Sequence, residues 1–286
     1  MSFCQKVAGF LCLTAALFGC SLAAIGGRYA DWYVMQRINA YVNLTPEQDA
    51  YLDPKIDEHL VWIKSDLLPD AHKAIGELIV RVEKGLTNDD ITWAEGRIDF
   101  LRSRLQQRIM VDTIWILSRL SPDQIKHLEK ELNASIEKSS KKAEGQTPDE
   151  FKKEKLEQYE ETFKDWVGSI TDTQKALLHE IYGDLATIEQ RKIYLSGRAE
   201  VQANFLKLTA SPVNEVKLRE FITTWIENPA ELRTGISRES YLKRSDIFRA
   251  SLLKLQETLS ADQRKGLINT LKDHQRDILA FSQSKA

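Results

Sequence analysis

Leu44-Thr45-Pro46-Glu47-Gln48 opens a stretch in which Leu52, Ile56, Leu60, Ile63 and Leu67 follow at four- and three-residue steps. That spacing lays the apolar side chains along one face of an α-helix, where burying them drives folding. The five residues in front supply a helix start. Thr45 can accept from a backbone N–H one turn in, Pro46 suits the first helical position, and Gln48 can return its side chain to the cap's own N–H. Glu47 adds an acid at the positive end of the helix dipole. The same grammar recurs at Leu120-Ser121-Pro122-Asp123-Gln124, Ile170-Thr171-Asp172-Thr173-Gln174 and Leu259-Ser260-Ala261-Asp262-Gln263. Each copy places a leucine eight residues after its first residue: Leu52, Leu128, Leu178 and Leu267. The capping pairs are therefore Thr45 with Gln48, Ser121 with Gln124, Thr171 with Gln174 and Ser260 with Gln263.

Working outward, other stripes have the same period. Ala71, Ile75, Leu78 and Val82 form one, and Ile98, Leu101, Leu105 and Ile109 another. Leu156, Tyr159, Phe163 and Trp166 follow, then Leu178, Ile181, Leu185 and Ile188. Nothing alternates with period two for long enough to suggest a strand. The expected helices are 29–42, 46–84 with a break at Pro69, 88–119, 122–142, 148–168, 172–208, 212–227, 238–258 and 261–282. Short connections predict an all-α fold, an elongated antiparallel bundle of about eight or nine helices over residues 29–286. The polar stretch Ser139 to Gln146 reads as an internal linker, which would divide it into sub-bundles 29–145 and 146–286.

The N-terminus has a different character. Residues 7 to 27 carry no charge, and Lys6 precedes an apolar core from Val7 to Phe18. Leu17-Phe18-Gly19-Cys20 resembles a lipobox, the site where bacteria cut a lipoprotein precursor and acylate the new first cysteine. On that reading residues 1–19 are a signal peptide, Cys20 carries the lipid, and 20–28 form a tether. The competing reading is an uncleaved anchor, since the uncharged run is about the ~20 residues a spanning helix needs. Cys4 and Cys12 would leave with the signal, so Cys20 alone would remain and no disulfide could form. With 40 basic and 42 acidic residues the chain is close to neutral, which argues against nucleic acid as a partner.

The repeated helix starts are similar to the LTxxQ motif of the Spy and CpxP periplasmic chaperones, small all-helical proteins that cradle unfolded clients. Almost the whole chain resembles an uncharacterised family of proteobacterial lipoproteins, a domain of unknown function. The stretches that carry this likeness are Gly19-Cys20-Ser21, Tyr29 to Tyr41, Leu44 to Gln48, Leu120 to Leu128, Phe163 to Thr171, Glu189-Gln190-Arg191 and Leu255 to Leu267. The resemblance implies an all-helical lipoprotein without an assigned activity. Ser21 after Cys20 implies placement in the outer membrane, facing the periplasm.

Enzyme chemistry finds no foothold. His59, His72, His127, His179 and His274 are scattered one per helix, with no four-residue pair of the kind helical zinc sites use. A glycine-rich phosphate loop, a Gly-x-Ser-x-Gly elbow and a cysteine nucleophile are all missing. No catalytic residue, metal or cofactor is therefore expected. Arg97, Arg104 and Arg108 share a helical face, and either cover the core with their stems or form an anion- or client-binding groove. Trp62, Trp93, Trp115, Trp166 and Trp225 are expected in the core, whereas Trp32 and Tyr33 follow the anchor closely enough to rest at a bilayer surface. The functional expectation is a lipid-anchored, chaperone-like binding module whose partners are the membrane, through acylated Cys20, and a protein client. The alternative is a structural or assembly lipoprotein with one specific envelope partner, and an enzyme is a distant third.

Overall fold

The computed structural model describes residues 29–284; Cys20, the signal and the tether lie outside the described residues. Within them the protein is an all-α bundle without strands. The helices are α1 (Ala30–Val42), α2 (Pro46–Trp62), α3 (Leu68–Lys84), α4 (Asn88–Leu117), α5 (Pro122–Glu144) and α6 (Pro148–Val167). They continue as α7 (Asp172–Tyr182), α8 (Ile188–Thr209), α9 (Glu215–Glu227), α10 (Gly235–Glu257) and α11 (Ala261–Gln283).

The helix starts follow the expected chemistry. Thr45, Ser121, Thr171 and Ser260 each accept from the glutamine N–H three residues on, and each glutamine side chain returns to the cap N–H. Thr87 with Asp90 and Thr147 with Glu150 make the same box with a carboxylate. The Asp90 carboxyl is pushed down to about 2, first by the Thr87 hydroxyl and backbone, then by the Arg81 guanidinium. Helix ends obey similar logic. Gly168 terminates α6 at φ 85°, a left-handed conformation that costs a residue without a Cβ nothing.

Three boundaries differ from expectation. The break in 46–84 is a π-helical turn at Ile63–Leu67, just before Pro69, which sits in the first turn of α3. That turn carries Ile63 and Leu67 into the core, both 4% exposed. The polar stretch expected as a linker is largely the last turns of α5, which ends at Glu144. The helix expected over 172–208 is two helices. Between them the chain turns at Gly183-Asp184-Leu185-Ala186, burying Leu185 and Ala186, and Thr187 caps α8 by accepting from the Gln190 N–H at 3.2 Å.

The core has several foci. Leu67, Leu68, Ile75, Leu101, Leu271 and Ile278 join α3, α4 and α11, with Ala30 of α1 at their edge. Met35, Leu52, Ile56, Ile116 and Leu128 join α1, α2, α4 and α5. Leu156, Leu178, Tyr182 and Leu255 join α6, α7 and α10, and Met110, Ile114, Leu218 and Ile222 seat α9 on α4. Helices from both sides of residue 145 pack on one another, α3 on α11 and α5 on α8. The 30-residue α4 touches three of these foci, so it acts as a spine about 45 Å long at 1.5 Å per residue.

One close approach fixes α11 against α6. A Cβ on Gly266 would stand 2.5 Å from the Val167 carbonyl oxygen, nearer than packed atoms come, and Thr270 donates to the Trp166 carbonyl at 3.1 Å beside it. Gly266→Ala should therefore lower stability by roughly 1–3 kcal/mol despite its better helix propensity. Urea unfolding measures this, and a variant as stable as the parent would show that α11 sits farther from α6.

Candidate functional site

The glutamines of the repeated helix starts are drawn together in pairs by the fold. Gln124 Nε2 donates to Gln48 Oε1 at 2.6 Å, and Gln48 Nε2 lies 3.3 Å from Gln124 Oε1. Across the molecule, Gln263 Nε2 donates to Gln174 Oε1 at 2.8 Å and Gln174 Nε2 to Gln263 Oε1 at 3.0 Å. Each amide also donates to a carbonyl two residues before the partner's cap: Arg119 from Gln48, Asn43 from Gln124, Thr258 from Gln174 and Ser169 from Gln263. Each Oε1 accepts in addition from its own cap N–H at 3.0 Å. All four side chains are buried, between 1% and 5% exposed. Both oxygen and nitrogen are thus engaged, which is what makes a buried amide tolerable. These residues clamp helix N-termini two by two, α2 to α5 and α7 to α11. They face inward and offer nothing to a ligand.

The surface of α4 presents a different arrangement. Trp93, Arg97, Phe100, Arg104, Arg108, Val111, Trp115 and Arg119 recur at three- and four-residue steps, forming one stripe along the helix. Ile98, Leu101 and Leu105 on one side of the stripe and Ile114 on the other enter the core, while Arg97, Phe100, Arg108 and Val111 are exposed. Guanidinium groups lie over the aromatic rings throughout. Arg81 and Arg97 face Trp93 at 4.2 and 5.9 Å from the ring centre. Arg104 and Arg108 face Trp62, at the end of α2, at 5.4 and 5.9 Å. Arg104 also approaches Phe100 at 5.7 Å, and Arg119 covers Trp115 at 4.7 Å. Such contacts hold a cation against an apolar plane without removing its charge.

The three arginines singled out by sequence are therefore split. Arg104 forms an ion pair with Asp70 and lies next to Arg108, which reaches the Glu58 carbonyl at 3.5 Å. Arg97 stands apart with Trp93. Among the described residues neither Arg97 nor Arg108 has a carboxylate within salt-bridge distance. Arg102, at the far edge, is turned toward α9, where it donates to the Ile226 carbonyl at 3.3 Å.

Between Arg108 and Trp115 lies a polar cluster. Asp112 accepts from the Tyr51 hydroxyl at 2.7 Å and meets His59 Nε2 at 2.8 Å, while Tyr51 stacks on Trp115 with ring centres 3.7 Å apart. Asp112 holds the tyrosine hydroxyl above its ordinary range, first by accepting its proton in a hydrogen bond. No local signal marks this cluster, because its members are 53 and 61 residues apart. The tryptophans expected in the core are at its rim instead: Trp62, Trp93, Trp115 and Trp166 are half-buried, and Trp225 is 49% exposed. Among the described residues no group of three or more His, Cys, Asp or Glu could hold a metal ion, and no helix is long and apolar enough to cross a membrane.

Taken together, the bundle and its clamped helix starts define an all-helical protein. Residues 40–234 match the family described as "Family of unknown function (DUF6279)", and the chain belongs to that family. The match takes in the whole of the α4 stripe and ends before α10 and α11. No curated protein and no solved structure matches the chain.

Proposed function

We propose that this protein is a lipid-anchored binding module of the bacterial cell envelope, acylated on Cys20 and facing the periplasm from the outer membrane. It holds segments of other envelope proteins, in the manner of a chaperone, along the stripe on α4. The observation that carries this reading is the interleaving of Phe100, 46% exposed, and Val111, 64% exposed, with Arg97 and Arg108, which have no carboxylate partner among the described residues. Arginine beside aromatic rings can meet both carboxylates and rings of an extended chain. From Trp93 to Trp115 the row runs about 33 Å, room for roughly ten residues of extended peptide. The anchor is supported by Lys6, the uncharged run 7–27 and Gly19-Cys20. Tyr29 and Trp32, 54% and 58% exposed, begin α1 directly after the tether, where ring side chains favour a membrane interface.

The test mixes the full chain, held in non-ionic detergent, with an aggregating client. The parent should suppress turbidity at severalfold excess. Arg97→Ser/Phe100→Ser/Arg108→Ser should lose most of that suppression while keeping its helical signal, since exposed positions tolerate change. Equal suppression by both would remove the stripe from the function.

A second reading is favoured by the inward glutamines. The glutamines of the LTxxQ-like helix starts are spent on joining helices, so they supply no client-binding surface. On this reading the stripe docks one envelope partner. Crosslinking in cells from position 111 then yields a single dominant product, where client binding yields a smear.

A further inference from the structure

Where α5 turns into α6, a cavity of about 170 Å³ opens between these two helices and α8. Its apolar floor is Ala143 and Phe151, 5% and 4% exposed. Its walls carry Lys138, Lys142, Lys155 and Arg191 against a single carboxylate, Glu154. That carboxylate is already satisfied, by Lys142 at 2.6 Å and Gln146 Nε2 at 2.7 Å. Lys138, Lys155 and Arg191 have no carboxylate within salt-bridge distance among the described residues. Lys155 donates to the neutral Gln158 Oε1 at 2.7 Å, and Arg191 lies over the Tyr194 ring at 5.5 Å. Gln146 Oε1 is buried without a hydrogen-bond partner among the described residues, an acceptor that lacks a donor.

We propose that this cavity is a phosphate-binding site, taking a phosphate group that brings its own hydroxyl, as inorganic phosphate or as a hydroxyl-bearing lipid headgroup. Four cations line one small space that holds a single carboxylate, already taken by Lys142, and that excess of positive charge calls for an anion carrying more than one oxygen acceptor. Arginine supplies a planar fork for two of those oxygens, and the lysines supply point charges. The unpartnered Gln146 oxygen selects further, because a P–OH or a glycerol hydroxyl donates to it and a bare carboxylate does not. The Lys155 ammonium is held below its ordinary value, first by burial and then by the Arg191 charge, as expected where like charges are held together in partial shelter from water. The cavity shares no residue with the α4 stripe.

The full chain in non-ionic detergent is titrated calorimetrically with inorganic phosphate. In a second arm it is mixed with phosphatidylcholine vesicles, with and without phosphatidylglycerol. Saturable phosphate binding is expected, at least fivefold weaker in Arg191→Gln and in Lys138→Gln, and unchanged in Lys126→Gln, an exposed α5 lysine away from the cavity. Lys138 is exposed, so its replacement reports on the site even if Arg191→Gln disturbs packing. Arg191-dependent enrichment on the phosphatidylglycerol vesicles would assign the lipid source; phosphate binding without it would assign the free anion. The proposal is overturned if neither arm shows saturable binding, or if Arg191→Gln and Lys138→Gln bind as Lys126→Gln does.

Discussion

Replacing Gln174 by leucine should destabilise the bundle by about 3 kcal/mol. The side chain is 1% exposed and serves two helix starts at once. It accepts the Thr171 N–H and a Gln263 amide proton, and donates to Gln263 and to the Thr258 carbonyl. Its loss leaves several buried groups without partners, and each such group costs ~1–3 kcal/mol, less than additively where relaxation or water can reach them. For a chain of this size that corresponds to a fall in Tm of about 6–12 °C. The double variant Gln174→Leu/Gln263→Leu should be less destabilised than the sum of the single variants, because the two bonds the amides make with each other are lost in either single variant and leave no stranded amide in the double. A shift under about 1 kcal/mol for Gln174→Leu would mean that the paired amides contribute little. Additive behaviour in the double variant would mean that the two helix starts are independent.

The second large effect is expected from Cys20→Ala, and it tests the proposed anchor rather than the fold. One saturated chain gives only marginal membrane binding, whereas the several chains of an acylated N-terminal cysteine give stable attachment. The substitution should therefore act as a switch, yielding unprocessed or released protein instead of a modest redistribution. Intact-mass measurement of the N-terminal peptide reads the outcome directly. Parent protein that still begins at Met1 would replace the lipid anchor with an uncleaved hydrophobic segment. A Cys20→Ala protein that matures and fractionates like the parent would end the lipoprotein reading.

Much of the architecture was legible one helix at a time. A capping box is a local device in which hydroxyl, backbone and glutamine lie within three residues, so Thr45, Ser121, Thr171 and Ser260 announce their helices without help from the rest of the chain. The apolar stripes are equally local. The same locality explains the missed break between α7 and α8. Leu178, Ile181, Leu185 and Ile188 keep helical spacing straight through the turn, so periodicity alone reads continuity where the backbone bends to bury Leu185 and Ala186. Gly183-Asp184 and Thr187 with Gln190 were the available signals, and they were weaker than the stripe.

The candidate surface was half legible. Arg97, Arg104 and Arg108 share a face by simple helical geometry, and the sequence placed them together. Two of their neighbours did not follow from it: Trp62 and Asp70 reach the stripe from another part of the chain, Trp62 lying under both Arg104 and Arg108 and Asp70 pairing with Arg104 alone.

The sequence by itself determined the all-helical class and the chemistry that starts most helices, because both depend on residues a turn or two apart. Only the tertiary structure decided that Gln48 meets Gln124 across 76 positions and Gln174 meets Gln263 across 89. It also decided that tryptophans rim the core instead of filling it, and that four cations of α5, α6 and α8 share one cavity. The physical reason is common to all of these. Capping and periodicity are energies of neighbouring residues, while the pairing of buried amides and the crowding of like charges exist only once distant helices have packed.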